Sequence, residues 1–294
     1  MQTIDERILS TVAQQGWIDA SGENIQGWVR GLFESGETSR RVRDFLHGTW
    51  LAHPVHAAAT DVAIGAWTAA QVMDVVDVAV GHKLSGAASL SIAVGLGGSV
   101  ASAASGLTDW SYTSGEQRRV GLIHALLNVA AATLYSASLF NRIAGHRSAG
   151  KLLSAAGLTT VLASSYLGGD LVYRLGTQVD RNAWTFGVRN FAPAMRESDL
   201  QPDKPTRVEV NGVQIVLVRS GGQIYALSDT CSHMGCSLAE GRLEGDTIVC
   251  SCHGSTFRLQ DGLVVHGPSA YSQTSYEVRI TDGQIEVRSA MPVQ

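Results

Sequence analysis

Between Thr230 and Phe257 the sequence runs TCSHMGCSLAE…TIVCSCHGSTF, a stretch that holds all four cysteines of the chain and two of its nine histidines. Cys231 and His233 stand two apart; 16 residues later comes CSCH, in which Cys250 and His253 stand three apart. Each short segment therefore offers one sulfur and one nitrogen donor. A tetrahedral zinc site is the first competitor, because two cysteines and two histidines commonly hold that ion. The order of the four argues against it. Zinc fingers separate a cysteine pair from a histidine pair, whereas each segment here carries one of each. That arrangement suits a two-iron cluster with cysteines on one iron and histidines on the other.

The elements that must present these donors are strands. From Arg207 the apolar period is two, and RVEVNGVQIVLVRSGGQIYAL reads as strand, Asn-Gly turn, strand, Gly-Gly turn, strand. TDGQIEV near the end is another turn leading into a strand. The C-terminal part is expected to be all-β and antiparallel, with the cysteine segments on loops.

C-x-H and C-x-x-H, followed by Gly254-Ser255 and by HGPSA from His266, resemble the signature of a Rieske 2Fe-2S domain, over about residues 183–290. The resemblance implies that Cys231 and Cys250 bind the inner iron as thiolates and that His233 and His253 bind the outer, more exposed iron. Thiolates stabilise ferric iron, while neutral imidazoles reduce the negative charge of the cluster and raise its potential. It also accounts for the two remaining thiols. Cys236 and Cys252 stand where the Rieske proteins of cytochrome bc-type complexes carry a disulfide, positions that dioxygenase-type ferredoxins usually fill otherwise. Ser255 matches a serine that donates a hydrogen bond to a cluster sulfur in that class. Phe257 stands where the high-potential members have a hydrogen-bonding tyrosine, which implies a lower potential here. Gly267 and Pro268 resemble the proline loop that covers the cluster.

The rest of the chain has a different composition. Residues 51–170 are rich in Ala, Gly, Ser, Val and Leu and poor in charge, and the net charge of −4 gives no global basic field for nucleic acid. Leu84–Thr108, Val120–Asn141 and Leu152–Gly169 are uncharged runs of 25, 22 and 18 residues; a helix of the first length spans about 37 Å, enough for a bilayer. A fourth run, Pro54–Met73, carries Asp61 and then meets Asp74 and Asp77, which are read as lying near the far surface without a role. Small residues throughout suit close helix packing in lipid. Four crossings put both termini on one side. Arg40, Arg41, Arg43, Arg118, Arg119, Arg174 and Arg181 on that side, against Lys83, Arg142, Arg147 and Lys151 on the other, favour a cytoplasmic location. Stable disulfides are unusual in a reducing cytosol, so either the cluster cap shields the bond or the topology is inverted. SRRVRDFL at Ser39–Leu46 is read as a basic membrane flank, and the start lacks the basic and apolar regions of a signal peptide.

The histidines at the membrane edge form a second candidate group. His53 and His56 fall in the first turn of the first membrane helix and His124 near the start of the third, which runs the same way. They could hold a haem b or a quinone headgroup, or serve only as helix caps and interfacial groups; His124 could pair with Asp61 or with a backbone carbonyl. Asp61 is costly in lipid and is a functional suspect by default. This region resembles an uncharacterised family of four-helix membrane domains with an HPxH opening, often fused to Rieske domains, which supplies no activity.

The expected organisation is an α + β multidomain chain: a helical segment over 1–50 with an amphipathic pattern at Ile4, Ile8 and Val12, a four-helix transmembrane bundle over 51–172, a linker over 173–205 and a Rieske-type domain over 206–290. The function that follows is a one-electron carrier in a bacterial cell membrane, in contact with lipid and with a redox partner protein or quinone, transferring through the exposed His233/His253 edge. It is more readily an electron-transfer protein or oxidoreductase subunit than a stand-alone enzyme. The alternatives are a ferredoxin-like component of an oxygenase system and a redox sensor coupled to the bundle.

Overall fold

A computed structural model describes residues 15–290 apart from 34, 80–82 and 186. The amphipathic pattern at Ile4, Ile8 and Val12 lies outside the described residues. Within them the chain forms six α-helices and then ten β-strands, and it divides into two compact units. One unit holds the residues up to 39 together with 54–177; the other holds 40–53 together with 178 onward.

In the first unit α1 (Gly16–Gly31) is followed by α3 (Val55–Ala79), α4 (Ser85–Trp110), α5 (Gly115–Ile143) and α6 (Arg147–Gly169), which ends in a π-turn at Asp170–Arg174. α3 pairs with α4 and α5 with α6 as two hairpins. Large apolar side chains face outward, among them Leu90, Val100, Val129 and Leu162, while Ala63, Ala70, Ala88 and Ala131 are buried. That is the reverse of a water-soluble bundle and suits lipid outside with small residues at the helix contacts. α4, α5 and α6 are each long and apolar enough to cross a membrane. α3 is 25 residues long and carries Asp61, Asp74 and Asp77 along its apolar run. The six helices are the four of the bundle, α3 to α6, and two that precede it, α1 and α2, which fall in the segment expected to be helical.

Asp74 and Asp77 do not sit idle at a surface. Asp74 is buried in a bidentate pair with Arg142, one arm at 2.8 Å, and Ser154 joins it at 3.2 Å. Asp77 accepts from Lys151 at 2.9 Å and is fully buried. A lone carboxylate would be too costly in such surroundings, and the cation one helix away offsets that cost.

The second unit contains the end of α2 (Glu37–His47) and a β domain. Six strands, β1 (Ala192–Arg196), β2 (Thr206–Val210), β3 (Val213–Ser220), β4 (Gln223–Ser228), β9 (Ser275–Thr281) and β10 (Gln284–Ser289), lie in the order β1-β10-β9-β4-β3-β2. A smaller sheet, β5 (Arg242–Glu244), β6 (Thr247–Val249), β7 (Thr256–Arg258) and β8 (Val264–His266), runs in sequence order, and every pairing in both sheets is antiparallel. The Asn-Gly turn is present, with Asn211 and Gly212 both at positive φ, as a two-residue hairpin of this twist requires. β3 explains how the sheets stack. Ile215 and Leu217 enter one core with Val188, Tyr276 and Ile285; Val216 and Val218 on the opposite face enter another with Ile248, Phe257 and Leu259 from the small sheet.

Candidate metal centre

Two loops of the β domain carry the four donors, and their backbones repeat one another. In the first, Gly235 N donates to Cys231 O at 2.9 Å and Cys231 N donates to Cys236 O at 2.8 Å; in the second, Gly254 N donates to Cys250 O at 3.0 Å and Cys250 N donates to Ser255 O at 2.9 Å. Each turn closes on a glycine with φ near +80°, a conformation that a side chain would strain (Gly235 +83°, Gly254 +80°). Asp229 braces the first loop: its carboxylate accepts from Ser237 Oγ and Ala239 N at 2.8 Å and pairs with Arg207. A disulfide joins Cys236 to Cys252 across the two loops, with Cα atoms 6.5 Å apart.

Tied in this way, the loops bring like donors together. Cys231 and Cys250 are buried free thiols within hydrogen-bonding reach of each other. The neighbouring thiol and burial push Cys231 well up, while the hydrogen bond from Cys231 brings Cys250 down to about 6. His233 and His253 face each other edge to face, with ring centroids 5.0 Å apart. Burial first, then the nearby His253, His47 and Arg181, lower His233 to about 3, so it is a neutral imidazole at neutral pH. The Cys236, Cys250 and Cys252 sulfurs also lie within 4.8 Å of one another, but Cys236 and Cys252 are already bonded to each other. The donor set is thus two thiols side by side and two imidazoles side by side, which fits a two-iron centre better than a single ion.

The proline loop closes over this centre. Gly267–Pro268 is a cis peptide, and beyond it Ser269 N donates to Ser255 Oγ at 3.1 Å. Ser255 is fully buried, and Phe257 packs beside Cys231, Cys250 and Leu238 in the core. One contribution has no counterpart in the sequence reading. The last turn of α2 lies on this loop: Asp44 accepts from Gly267 N at 3.1 Å and bonds His266 Nδ1 at 2.7 Å. A methyl group on Gly267 would come within 2.7 Å of the His47 ring, which is 1% exposed. The pair Asp44 and His47, three residues apart at the end of what reads as a basic flank, gave no signal of this.

The packing alters one expectation. Both imidazoles were expected to form an exposed edge, but His233 is only 5% exposed and His253 half-buried. Of the membrane histidines, His56 and His124 come together with centroids 6.3 Å apart. His53 is exposed and precedes α3, and Asp61 is exposed on α3, while the His56 and His124 rings bond to Ser102 O and Ser164 O instead.

Residues 190–277 match the model of the Rieske 2Fe-2S domain, and residues 52–181 match DUF2231, a predicted membrane protein family. Ferredoxin CarAc of Metapseudomonas resinovorans is 37% identical over 91 residues, which are 31% of this chain and 85% of that protein. The chain belongs to the Rieske 2Fe-2S family. The Rieske domain is also 35% identical over 89 residues to the 3-phenylpropionate/cinnamic acid dioxygenase ferredoxin subunit of Escherichia coli K12, covering 30% of this chain and 83% of that one. The iron-sulfur subunit of the cytochrome b6-f complex of Chlorobaculum tepidum is 37% identical over 82 residues, 28% of this chain and 44% of that subunit. A solved structure of the reduced oxygenase and oxidized ferredoxin complex of carbazole 1,9a-dioxygenase matches at 35% identity over 33% of this chain and 99% of that one, with a TM-score of 0.31. The chain is therefore a Rieske-type electron carrier fused to a DUF2231 membrane domain.

Proposed function

We propose that this chain is a membrane-anchored one-electron carrier whose Rieske domain passes electrons between a donor in the membrane, quinol or haem, and a redox partner protein. The observation that supports it most is the pair of matching loops locked by Cys236–Cys252, with buried thiols on one side and facing imidazoles on the other. Cys231 and Cys250 would bind the inner iron, His233 and His253 the outer one. When bound, the cluster supplies a one-electron couple at that position. The protein side of the work is positioning and insulation. Ser255 Oγ accepts from Ser269 N, which orients the hydroxyl and leaves its own proton to donate toward a cluster sulfur. With His233 buried, the half-exposed His253 ring is the edge through which the partner would exchange electrons. The reading extends to a bacterial cell membrane with both termini cytoplasmic, which reporter fusions at either end would test.

The test is spectroscopic. Purified full-length chain, reduced with dithionite, is expected to give a Rieske electron paramagnetic resonance signal that Cys231→Ser abolishes. Recovery of zinc in place of iron from anaerobically purified protein would overturn the assignment. A second reading, a ferredoxin component of an oxygenase system, draws on the 37% identity to ferredoxin CarAc. Quinol analogues in native membranes separate the two: rapid reduction favours the membrane carrier, and reduction only by a soluble flavoprotein reductase favours the ferredoxin.

A further inference from the structure

The membrane unit is built twice. His56, Trp67 and Asp74 on α3 correspond to His124, Tyr135 and Arg142 on α5, each pair 68 positions apart. On the second helix of each hairpin, Gly95, Ser102 and Gly106 correspond to Gly157, Ser164 and Gly168, each pair 62 apart. The contacts repeat with the residues. Trp67 lies against Gly95 as Tyr135 lies against Gly157, and a methyl group on either glycine would collide at 2.3 and 2.9 Å. His56 Nδ1 is 2.8 Å from Ser102 O, and His124 Nδ1 is 2.8 Å from Ser164 O. Gly106 and Gly168 let each imidazole seat against the neighbouring backbone, where a methyl group would come within 2.6 and 3.1 Å of the ring.

Three times, then, a residue of one hairpin meets its own counterpart from the other. Trp67 and Tyr135 stack with centroids 4.2 Å apart, and Asp74 and Arg142 hydrogen-bond at 2.8 Å. Those two layers are closed by direct contact. The third is wider: the His56 and His124 rings meet edge to face with centroids 6.3 Å apart and planes at 79°. Two imidazoles bound on opposite sides of one metal, at about 2.0–2.1 Å each, set their centroids roughly 6–6.5 Å apart.

We propose that His56 and His124 are the two axial ligands of a haem held between the hairpins. The hydrogen bonds select this over the other occupants. A carbonyl can only accept, so each Nδ1 carries a proton, and Nε2 is the nitrogen of each ring that could bind a metal. Asn128 Nδ2 donates to His124 Nε2 at 3.0 Å, consistent with that tautomer, and gives way when the metal binds. A quinone headgroup offers carbonyls and needs donors; both ring protons are already committed to Ser102 and Ser164. A bare divalent ion usually takes three or four protein ligands. Among the described residues the Rieske-loop cysteines are the one group of three or more His, Cys, Asp or Glu side chains with ligating atoms gathered together. A haem brings four nitrogens of its own and asks the protein for two, one from each repeat. The site deepens the carrier reading, on which it rests for its use, by naming the one-electron donor as a bis-histidine haem.

The full chain, expressed with a haem precursor and purified in detergent, is the material for the test. It is expected to show a Soret band, a low-spin α band and, by pyridine haemochrome, one haem per chain. His56→Gln and His124→Gln should each lower haem content at least tenfold while the Rieske resonance persists. His124→Met should retain haem with a shifted spectrum, because sulfur replaces nitrogen on one face. Wild-type protein without haem but with the Rieske resonance would overturn the proposal and leave the carrier reading standing. Haem that survives both glutamine variants, or a His124→Met spectrum identical to wild type, would also overturn it. Loss of the Rieske resonance with the haem bands intact would count against the carrier reading alone.

Discussion

Phe257 is fully buried beside Cys231 and Cys250, so a hydroxyl placed there has the cluster region as its nearest polar surroundings. Phe257→Tyr is expected to raise the midpoint potential by about 60 mV for each 1.4 kcal/mol by which the new hydrogen bond favours the reduced state. A titration that finds no upward shift would remove Phe257 as the reason for a lowered potential. Asp44 acts on the same centre through the proline loop. It holds both His266 and Gly267, and a hydrogen bond to a charged group contributes about 1.5–3 kcal/mol. Asp44→Ala should therefore loosen the proline loop, lower the temperature at which visible dichroism of the cluster is lost by several degrees and shift the Rieske resonance. Asp44→Asn, which keeps one acceptor, should recover part of both. A resonance and a melting curve unchanged by Asp44→Ala would mean the contact is idle.

Among the elements, the disulfide and the buried ion pair each make a separable claim. The Cys236–Cys252 bond closes a separation of 16 residues, for which chain entropy alone gives about 3 kcal/mol. Cys236→Ser with Cys252→Ser is expected to purify with less iron and to lose its cluster faster on warming, with the four donors unchanged. Between the hairpins, Arg142→Met strands Asp74 in a buried site and should cost about 3–5 kcal/mol in detergent melts, whereas adding Asp74→Leu should restore most of it. If the single and double variants melt alike, the pair is not coupled. These elements also mark where the sequence was readable. The Asn211-Gly212, Gly221-Gly222 and Asp282-Gly283 turns were legible because a local backbone demand, positive φ at adjacent positions, leaves its mark in adjacent letters, and the ligand loops because each holds its cysteine and histidine within three positions. The Cys236–Cys252 pairing came through a family resemblance, and the loop hydrogen bonds give it a local rationale. The ion pairs were not legible, since Asp74 and Arg142 are 68 positions apart and each alone looks like a flanking charge. The same holds for Asp44, whose partner lies 222 positions away.

At the scale of the whole molecule, the expected carrier behaviour has a kinetic form. Membranes containing the chain should reduce the cluster with a quinol analogue at a rate that falls when the His124 haem is removed, while dithionite reduction stays unchanged. Equal quinol rates with and without His124 would route electrons around the bundle. The second unit is assembled from two stretches of chain, 40–53 and 178 onward, that the helical hairpins separate. Synthesis therefore has an order that packing does not. At about 5–20 residues per second, His266 leaves the ribosome on the order of ten to forty seconds after Asp44, with three apolar helices made in between. For that interval the end of α2, which carries Arg40, Arg41 and Arg43, waits without its loop. The cluster's last cover is thus the first of its parts to be made.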